Sequence, residues 1–352
     1  MLTSILLIFV GALVFAIGAT PIARWLAPRV GVIDHPSARK VHVRPMPRLG
    51  GGAIFLAFIL ALVVFENRYN FQQLAGILIG ATFVSFLGIW DDRWGLRPIL
   101  KLVGQILGAL ILVVAGVHTE LFPWFALDVA LTVFWVVGIT NSFNLLDNMD
   151  GLSGGVGAVA AVFFTLLAAM SRPPQVLVAA LSAALFGVCL GFLVYNFNPA
   201  TIFMGDAGAM FIGYTLAAVG IKLRFPSNIT FVTWMIPVLV LGVPIFDTTL
   251  VFFSRLRRGL NPLTTPGKDH SSHRLVAMGY TQREAVLILY LIGGALGVLA
   301  MFITQADAIE SYVIFASVSV AGILGILRLE RPQLIPTKST PPAEVSGDAK
   351  PS

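Results

Sequence analysis

The chain has 352 residues, of which 57% are hydrophobic and only 11% are charged, and its formal net charge at pH 7 is +6. No soluble domain of this length has such a composition, so the sequence indicates a polytopic membrane protein. The single cysteine, Cys189, excludes an internal disulfide, and the lack of a soluble basic domain argues against nucleic-acid binding.

Eleven apolar segments are long enough to be membrane helices, so we predict an all-α fold with about 11 transmembrane helices over residues 1–330. The first segment lacks positive charges before it and is followed by Arg24 and Arg29, which is the wrong polarity for a signal peptide and favours a retained helix. The tail, 331–352, is rich in Pro, Ser, Thr and Ala and is predicted to be disordered. In chain order the segments are 2–22, 50–65, 72–89, 102–117, 121–140, 154–170, 176–195, 207–221, 230–253, 284–304 and 309–327.

The distribution of Lys and Arg predicts the orientation of these helices. If the N-terminus lies outside, the inside loops and the tail contain 19 of these residues, and only Arg68, Arg172, Lys222 and Arg224 lie outside. Basic residues accumulate on the cytoplasmic side of membrane proteins, so we predict an outside N-terminus and a cytoplasmic C-terminus.

On this topology, the polar motifs lie on the predicted cytoplasmic side. Acids at a hydrocarbon boundary are costly unless a partner stabilises them, so this convergence indicates one functional face. The motifs are ARKVHVRPMPRLGG (38–51), DDRWGLRPILKL (91–102), NSFNLLDNMDG (141–151), NPATIFMGDAG (198–208) and PLTTPGKDHSSHRL (262–275).

The adjacent carboxylates of Asp91 and Asp92 repel each other, so both remain ionised cheaply only beside a divalent cation or basic groups. Mg²⁺ prefers one or two carboxylates together with substrate phosphate oxygens. The alternative is an ordinary cytoplasmic loop in which Arg93, Arg97 and Lys101 neutralise the pair.

Asp147 and Asp150 lie three residues apart, and Asn141 and Asn144 repeat that spacing, so each pair shares a face of a helical turn. The acids suit cation binding or acid–base chemistry, and the amides suit orientation of the acids or contact with a sugar or base. An N-cap at Asp150 is the structural alternative, although it explains neither the second acid nor the amides.

Two further acids stand among small or apolar neighbours. Asp206 lies in MGDAG, where the small residues on either side permit close approach of a ligand or backbone. Capping of the following helix is the alternative role. Asp247, in VPIFDTT, would be an expensive unpaired anion, which favours a functional or metal-paired role over an interhelical hydrogen bond.

Basic side chains form two groups on the same predicted face. His270 and His273 have Lys268 and Arg274 beside them, which favours phosphate contact over a zinc site with only two histidines. The first loop adds a basic strip that is either a membrane anchor or a phosphate contact: Arg39, Lys40, His42, Arg44 and Arg48.

Carboxylates suited to Mg²⁺ and basic groups suited to phosphates, set beside lipid-facing helices, favour phosphoryl transfer at a membrane surface. The five motifs, in this order over residues about 38–280, resemble those of the polyprenyl-phosphate N-acetylhexosamine-1-phosphate transferases, glycosyltransferase family 4. The resemblance is closest to the WecA/TagO-like branch that uses UDP-GlcNAc, which is related to phospho-MurNAc-pentapeptide translocase. It implies transfer of N-acetylglucosamine-1-phosphate from UDP-GlcNAc to undecaprenyl phosphate, with release of UMP.

The resemblance also implies Mg²⁺ as cofactor, with Mn²⁺ as a substitute, and a cytoplasmic active site in the plasma membrane. A homodimer is a further expectation. Catalytic roles are expected for Asp91, Asp92, Asp147, Asp150 and His270. Substrate contacts are expected for Lys40, Asn141, Asn144, Asp247, His273 and Arg274. Metal ligation is expected for Asp206 and Asp91.

One departure concerns the histidine loop, where the family commonly reads HxHH and this chain has His270, Ser271, Ser272 and His273. The run of three histidines of the translocase branch is absent, which disfavours a UDP-MurNAc-pentapeptide donor. Another UDP-N-acetylhexosamine is the nearer alternative, and an ion-coupled transporter is the alternative from a different class.

Overall fold

A computed structural model describes residues 1–36, 45–64, 71–226, 228–262, 265 and 267–331. These residues form a helical bundle and one very short antiparallel ribbon, β1 (Ile33–Asp34) and β2 (Met46–Pro47). The helices are α1 (Leu2–Leu26), α2 (Gly50–Val64), α3 (Phe71–Trp94), α4 (Pro98–Val114), α5 (Phe125–Leu146), α6 (Leu152–Met170), α7 (Val176–Asn196), α8 (Gly205–Lys222), α9 (Thr230–Val240), α10 (Gly242–Arg257), α11 (Ser271–Ala277), α12 (Gln282–Ile303) and α13 (Ala308–Leu329).

The predicted all-α architecture is confirmed, and each predicted apolar segment coincides with one helix or one bent pair of helices. Seven of the described helices are long and apolar enough to cross a membrane: α1, α3, α5, α6, α7, α12 and α13. The number becomes eight if the bent pair α9 and α10 forms one span. The predicted total of about 11 spans and the predicted orientation therefore stay predictions.

Helix α8 lies at the centre of the bundle. Its residues from Ala207 to Ile221 are all buried, and its surroundings include α2, α3, α5, α6 and α7. A helix that is apolar on every side can be buried in the core of a bundle, and α8 occupies such a position. Its N-terminal end carries Asp206 into the polar end of the bundle.

Glycines allow the start of α8 to approach α2 and α3 at backbone contact. A Cβ atom on Gly51 would lie 2.2 Å from the Gly208 nitrogen, and one on Gly88 would lie 2.4 Å from the Ala207 Cα. The preceding loop is fixed by backbone hydrogen bonds from Gly50 to Phe203 and from Gly51 to Met204. Close approach through glycine is a common device in helix packing within membranes, and here it brings the segment after β2 beside Asp206.

The ninth predicted segment is broken into α9 and α10, which meet at an angle of 77°. Pro237 lies inside α9, and Gly242 and Pro244 open α10, so the sequence supplies residues that interrupt regular helical hydrogen bonding. The bend directs α10, with Asp247, toward the loop that contains the two histidines.

Candidate active site

A cluster of alternating charges joins α3, α4, α8 and the loop before α2 at one end of the bundle. Arg48 Nε lies 3.0 Å from Asp92 Oδ1, and another guanidinium nitrogen lies 2.9 Å from Asp206 Oδ1. Lys101 Nζ lies 2.9 Å from Asp91 Oδ2 and also contacts Asp206. The predicted acids of α3 and α8 thus come together, with Asp206 shared between two basic side chains.

Asp92 holds the start of α8 in place. Its carboxylate accepts hydrogen bonds from the backbone nitrogens of Asp206, at 2.9 Å, and Ala207, at 3.1 Å. A carboxylate at a helix N-terminus satisfies free N–H groups and favours the helix dipole. Because this side chain is only 1% exposed, its geometry suits support of Asp206 better than the predicted role of proton acceptor.

Asp91 is more accessible than Asp92. Its side chain is 16% exposed, and it accepts hydrogen bonds from the Leu96 nitrogen, at 2.6 Å, and from Lys101. The predicted pair of equivalent acids is therefore divided by the structure: one carboxylate braces α8 and the other faces the ammonium group.

The turn between α5 and α6 carries the second pair of acids. Asp150 Oδ2 accepts hydrogen bonds from Asn198 Nδ2 and the Ala200 nitrogen, both at 3.0 Å. The N-cap position of α6 is Gly151, with φ 77° and no side-chain capping bond, so the capping alternative for Asp150 does not apply. Asp150 instead ties this turn to the loop before α8.

Asp147 is half-buried, and its environment disfavours ionisation. Burial, together with repulsion from Asp206, Asp92 and Asp150, raises the pKa of Asp147 to about 8, although Arg48 opposes the shift. The folded protein therefore retains a proton on Asp147 at neutral pH unless another cation takes its place.

A cavity of about 510 Å³ opens beside these groups. Its wall includes acids and an amide of the α5–α6 turn and basic side chains from two loops, with the mixed polarity of a small-molecule site. The polar and charged side chains of the wall include Arg48, Asp147, Asn148, Asp150, Lys268 and His273.

The histidine loop is fixed to α10 by Asp247. The fully buried Asp247 carboxylate lies 2.7 Å from His270 Nδ1 and accepts hydrogen bonds from the Ser271 nitrogen, at 2.7 Å, and hydroxyl, at 2.6 Å. Such a carboxylate fixes the orientation of the imidazole and leaves its Nε2 atom as the free ring nitrogen. Asp247 therefore lies behind His270, not in the predicted position of a substrate contact.

His273 lies on the cavity side of the same loop. Burial, with the nearby His270 and Lys268, lowers the pKa of His273 to about 4. The imidazole is therefore neutral at pH 7 and can donate or accept a hydrogen bond there, but it contributes no positive charge.

Ser272, which stands where the family commonly has a histidine, links the loop to the α5–α6 turn. Its buried hydroxyl donates to Asn148 Oδ1 at 2.7 Å, and Asn148 Nδ2 donates to the Leu145 carbonyl at 2.8 Å. Both ends of the amide are held, so Asn148 presents a fixed face to the cavity.

Two predicted substrate contacts have other partners in the structure. Arg274 is fully buried and donates to the Leu329 carbonyl at 2.5 Å and to Ser254 Oγ at 2.7 Å, so it ties α11 to α10 and α13. Asn141 pairs with Gln105 through hydrogen bonds of 2.7 and 3.1 Å, which join α5 to α4. In both cases the polar atoms are used in helix packing.

A separate ion cluster supports the loop before His270. Asp269 receives two hydrogen bonds from Arg255, both at 3.0 Å, and another from Arg258. Although burial acts to raise it, these contacts lower the pKa of Asp269 to about 2. The acid therefore stays ionised and anchors the loop throughout the neutral range. Lys40, the remaining predicted contact, lies outside the described residues.

The residues suit a hard divalent cation, although within the described ranges no three His, Cys, Asp or Glu side chains are arranged as a metal site. Three carboxylates, Asp91, Asp92 and Asp206, contact the two basic groups, and Asp147 adds a fourth carboxyl group nearby whose proton a cation could replace. Asn144 Oδ1 adds a neutral oxygen donor, since it lies 2.8 Å from Lys101 Nζ. Mg²⁺ commonly uses one or two carboxylates and completes its shell with water and substrate phosphates, so this donor set fits.

The sequence predictions missed three residues of the site. Arg48 is one basic residue among five in its loop, and the position of Lys101 suggests only neutralisation of Asp91 and Asp92, so neither pattern shows that they bridge the acids. Asn148 was missed although it stands between Asp147 and Asp150 in the same motif. Its place between two acids was the available signal.

The chain is similar to proteins named for one reaction class. The sequence profile described as "Glycosyl transferase family 4" matches residues 74–224. A Bacillus subtilis protein named "Probable undecaprenyl-phosphate N-acetylglucosaminyl 1-phosphate transferase" is 37% identical over 325 residues, which is 88% of each chain. A Mycobacterium tuberculosis protein named "Decaprenyl-phosphate N-acetylglucosaminephosphotransferase" is 33% identical over 89% of this chain and 86% of its own length. A Yersinia pestis protein named "Undecaprenyl-phosphate alpha-N-acetylglucosaminyl 1-phosphate transferase" is 26% identical over 92% of this chain and 90% of its own length.

Proposed function

The chain belongs to glycosyl transferase family 4, the polyprenyl-phosphate N-acetylhexosamine-1-phosphate transferases, and we propose that it transfers N-acetylglucosamine-1-phosphate from UDP-GlcNAc to a polyprenyl phosphate such as undecaprenyl phosphate. The observation that carries this proposal is the shared Asp206, held between Arg48 and Lys101 beside a cavity of about 510 Å³. Carboxylates and basic groups in one cleft are what diphosphate chemistry needs.

In the proposed reaction, an oxygen of the lipid phosphate attacks the β-phosphorus of UDP-GlcNAc. The bond from that phosphorus to the bridging oxygen breaks, and UMP leaves with the electron pair. The product is a polyprenyl diphosphate linked to the sugar. Catalysis of such a transfer depends mainly on positioning and on stabilisation of phosphate charge.

The side chains divide these tasks by position. Arg48 and Lys268 line the cavity from different loops and would bind the diphosphate, and the neutral His273 would add a hydrogen bond. Asp91 is better exposed than Asp92 for accepting a proton from the lipid phosphate. His270, oriented by Asp247, would donate or accept at its Nε2 atom.

Asp206, Asp91 and Asn144 would hold Mg²⁺, with Mn²⁺ as a substitute. When bound, the cation would neutralise charge on the diphosphate oxygens. Asp147 lies at the cavity wall near the same acids, and repulsion from them contributes to its raised pKa. A bound cation would reduce this repulsion and could replace the proton on Asp147.

We place this site at the cytoplasmic face of the plasma membrane, with about 11 spans, an outside N-terminus and a cytoplasmic C-terminus. The support is the excess of Lys and Arg in the segments that contain the acids. A green fluorescent protein fused after Ser352 should fluoresce, whereas alkaline phosphatase at that point should be inactive. The reverse pattern would contradict the orientation.

The experiment that tests the function is a donor screen with purified full-length protein, undecaprenyl phosphate and Mg²⁺. Each of several radiolabelled UDP-N-acetylhexosamines and UDP-MurNAc-pentapeptide is offered separately. We expect label in the organic phase and stoichiometric UMP with UDP-GlcNAc. Absence of lipid-linked label and of UMP with every donor would refute the transferase, whereas preference for another donor would correct only the sugar.

A further inference from the structure

Lys101 holds an unusual position within the cluster. It lies in the first turn of α4, and its Nζ atom contacts oxygens from three other helices: Asp91 Oδ2 of α3 at 2.9 Å, Asn144 Oδ1 of α5 at 2.8 Å, and Asp206 Oδ2 of α8. An ammonium group has three N–H donors and no acceptor, so these three oxygens use its full hydrogen-bonding capacity.

The same three oxygens are a suitable ligand set for a hard divalent cation. They comprise two carboxylates and one amide carbonyl, which is the chemistry that Mg²⁺ and Mn²⁺ accept. Mg²⁺ ligands lie at about 2.0–2.1 Å from the ion, so three oxygens that surround Nζ can surround the metal only when Nζ is no longer among them. Two cations in one small, half-buried space would also repel each other strongly.

We propose that Lys101 is a tethered competitor of the divalent cation: its ammonium group and the metal bind the same oxygens of Asp91, Asn144 and Asp206 and exclude one another. The proposal rests on the proposed function only for the identity of the metal. It assigns Lys101 a role in setting metal affinity, in addition to neutralisation of the acids. When no metal is bound, the Lys101 ammonium group neutralises part of the negative charge of Asp91 and Asp206. The same contacts weaken metal binding, because the metal must displace the ammonium group.

This arrangement couples the cation to the substrate. Lys101, once displaced, is a free ammonium group beside the acids, and an anionic diphosphate nearby would stabilise it in the displaced position. By linkage, a ligand that favours the displaced lysine tightens cation binding, and the cation tightens binding of that ligand. UDP-GlcNAc should therefore increase the cation affinity of the wild-type protein more than that of a variant without the ammonium group.

The test measures Mn²⁺ binding to purified full-length protein in a zwitterionic detergent, without nucleotide sugar or lipid, by the electron paramagnetic resonance signal of free Mn²⁺. Competition with Mg²⁺ identifies the shared site. Lys101→Met should bind Mn²⁺ at least tenfold more tightly than the wild type, whereas Lys101→Arg, which retains the charge, should bind no more tightly. A Lys101→Met variant with unchanged or weaker Mn²⁺ binding would overturn the proposal.

Lys268→Met is the matched control because it removes a positive charge from the cavity wall, outside the three-oxygen set. Its Mn²⁺ affinity should change by less than threefold. If both variants tighten binding equally, the effect is general electrostatics, and direct competition is wrong.

A measurement on the unaltered protein guards against a Lys101→Met variant that fails to fold. Acylation of lysines by a water-soluble reagent, read by peptide mass spectrometry, should increase at Lys101 when Mg²⁺ is added, while Lys268 stays constant. Unchanged Lys101 reactivity at saturating Mg²⁺ would contradict displacement. Neither readout needs transferase activity, so the failure of this inference and the failure of the proposed function are separate results.

Discussion

Replacing Asp92 by Asn separates its structural role from the predicted role as proton acceptor. The Asp92 carboxylate accepts from two backbone nitrogens of α8 and lies 3.0 Å from Arg48 Nε, while its side chain is only 1% exposed. Asn offers one acceptor oxygen, and its NH₂ group would face a backbone donor. At least one buried donor then loses its partner.

The magnitude follows from these contacts. An unsatisfied buried donor costs about 1–3 kcal/mol, and breaking a buried ion pair by removing one partner costs about 3–5 kcal/mol. Arg48 keeps its contact with Asp206, so we take the lower part of that range, about 3 kcal/mol for Asp92→Asn. Asp91→Asn is the control, since Asp91 is more exposed and braces no helix; its expected cost is about 1 kcal/mol.

The assay compares thermal unfolding of both variants in one detergent with their rates of lipid-linked product formation. Asp92→Asn should unfold at a clearly lower temperature than Asp91→Asn, and Asp91→Asn should lose the larger share of activity per folded molecule. An Asp92→Asn protein that unfolds like the wild type but has lost turnover would refute the bracing role and return Asp92 to the role of proton acceptor.

Three further predictions concern other groups of the site. Asp206→Asn should lower turnover by about 100-fold or more, because it removes the carboxylate shared by Arg48 and Lys101; near-normal turnover would exclude Asp206 from the site. The pKa of Asp147 is raised to about 8, so the folded chain holds a proton that the unfolded chain releases near pH 4. Without divalent cations, stability should therefore fall as pH rises from about 4 to about 8. The difference in unfolding temperature between wild type and Asp147→Asn isolates this effect, and a difference that does not vary with pH would contradict it. Ser272→Ala should cost about 1 kcal/mol through the lost bond to Asn148. Ser272→His should cost about 1–3 kcal/mol because it places a larger side chain at a fully buried position; a Ser272→His protein as stable as the wild type would contradict this expectation.

The helical fold and the grouping of the acids could be predicted because both depend on local pattern. Long apolar segments must form helices in a membrane, and motifs at their polar ends were expected to meet on one face. Asp91, Asp92 and Asp206 meet as expected, as do Asp147 and Asp150 with the cavity.

The partners of individual polar side chains could not be predicted, because they depend on distant segments. Arg274 lies in a motif that suggests phosphate contact, but its partners include the Leu329 carbonyl, 55 residues further along the chain. Asn141 shares a helical face with Asn144, yet the amide of Asn141 hydrogen-bonds to Gln105, whereas the amide oxygen of Asn144 accepts a hydrogen bond from Lys101. Spacing gives the face of a helix, and only packing gives the neighbour.

The central claim is that a sugar phosphate, and not a sugar alone, moves to the lipid. UDP-GlcNAc labelled separately at the α- and β-phosphorus tests it directly with purified protein and undecaprenyl phosphate. The account predicts that β-³²P enters the lipid fraction and that α-³²P leaves as UMP. If both labels stay in water-soluble UDP while the sugar enters the lipid, the protein transfers sugar alone and the account is wrong.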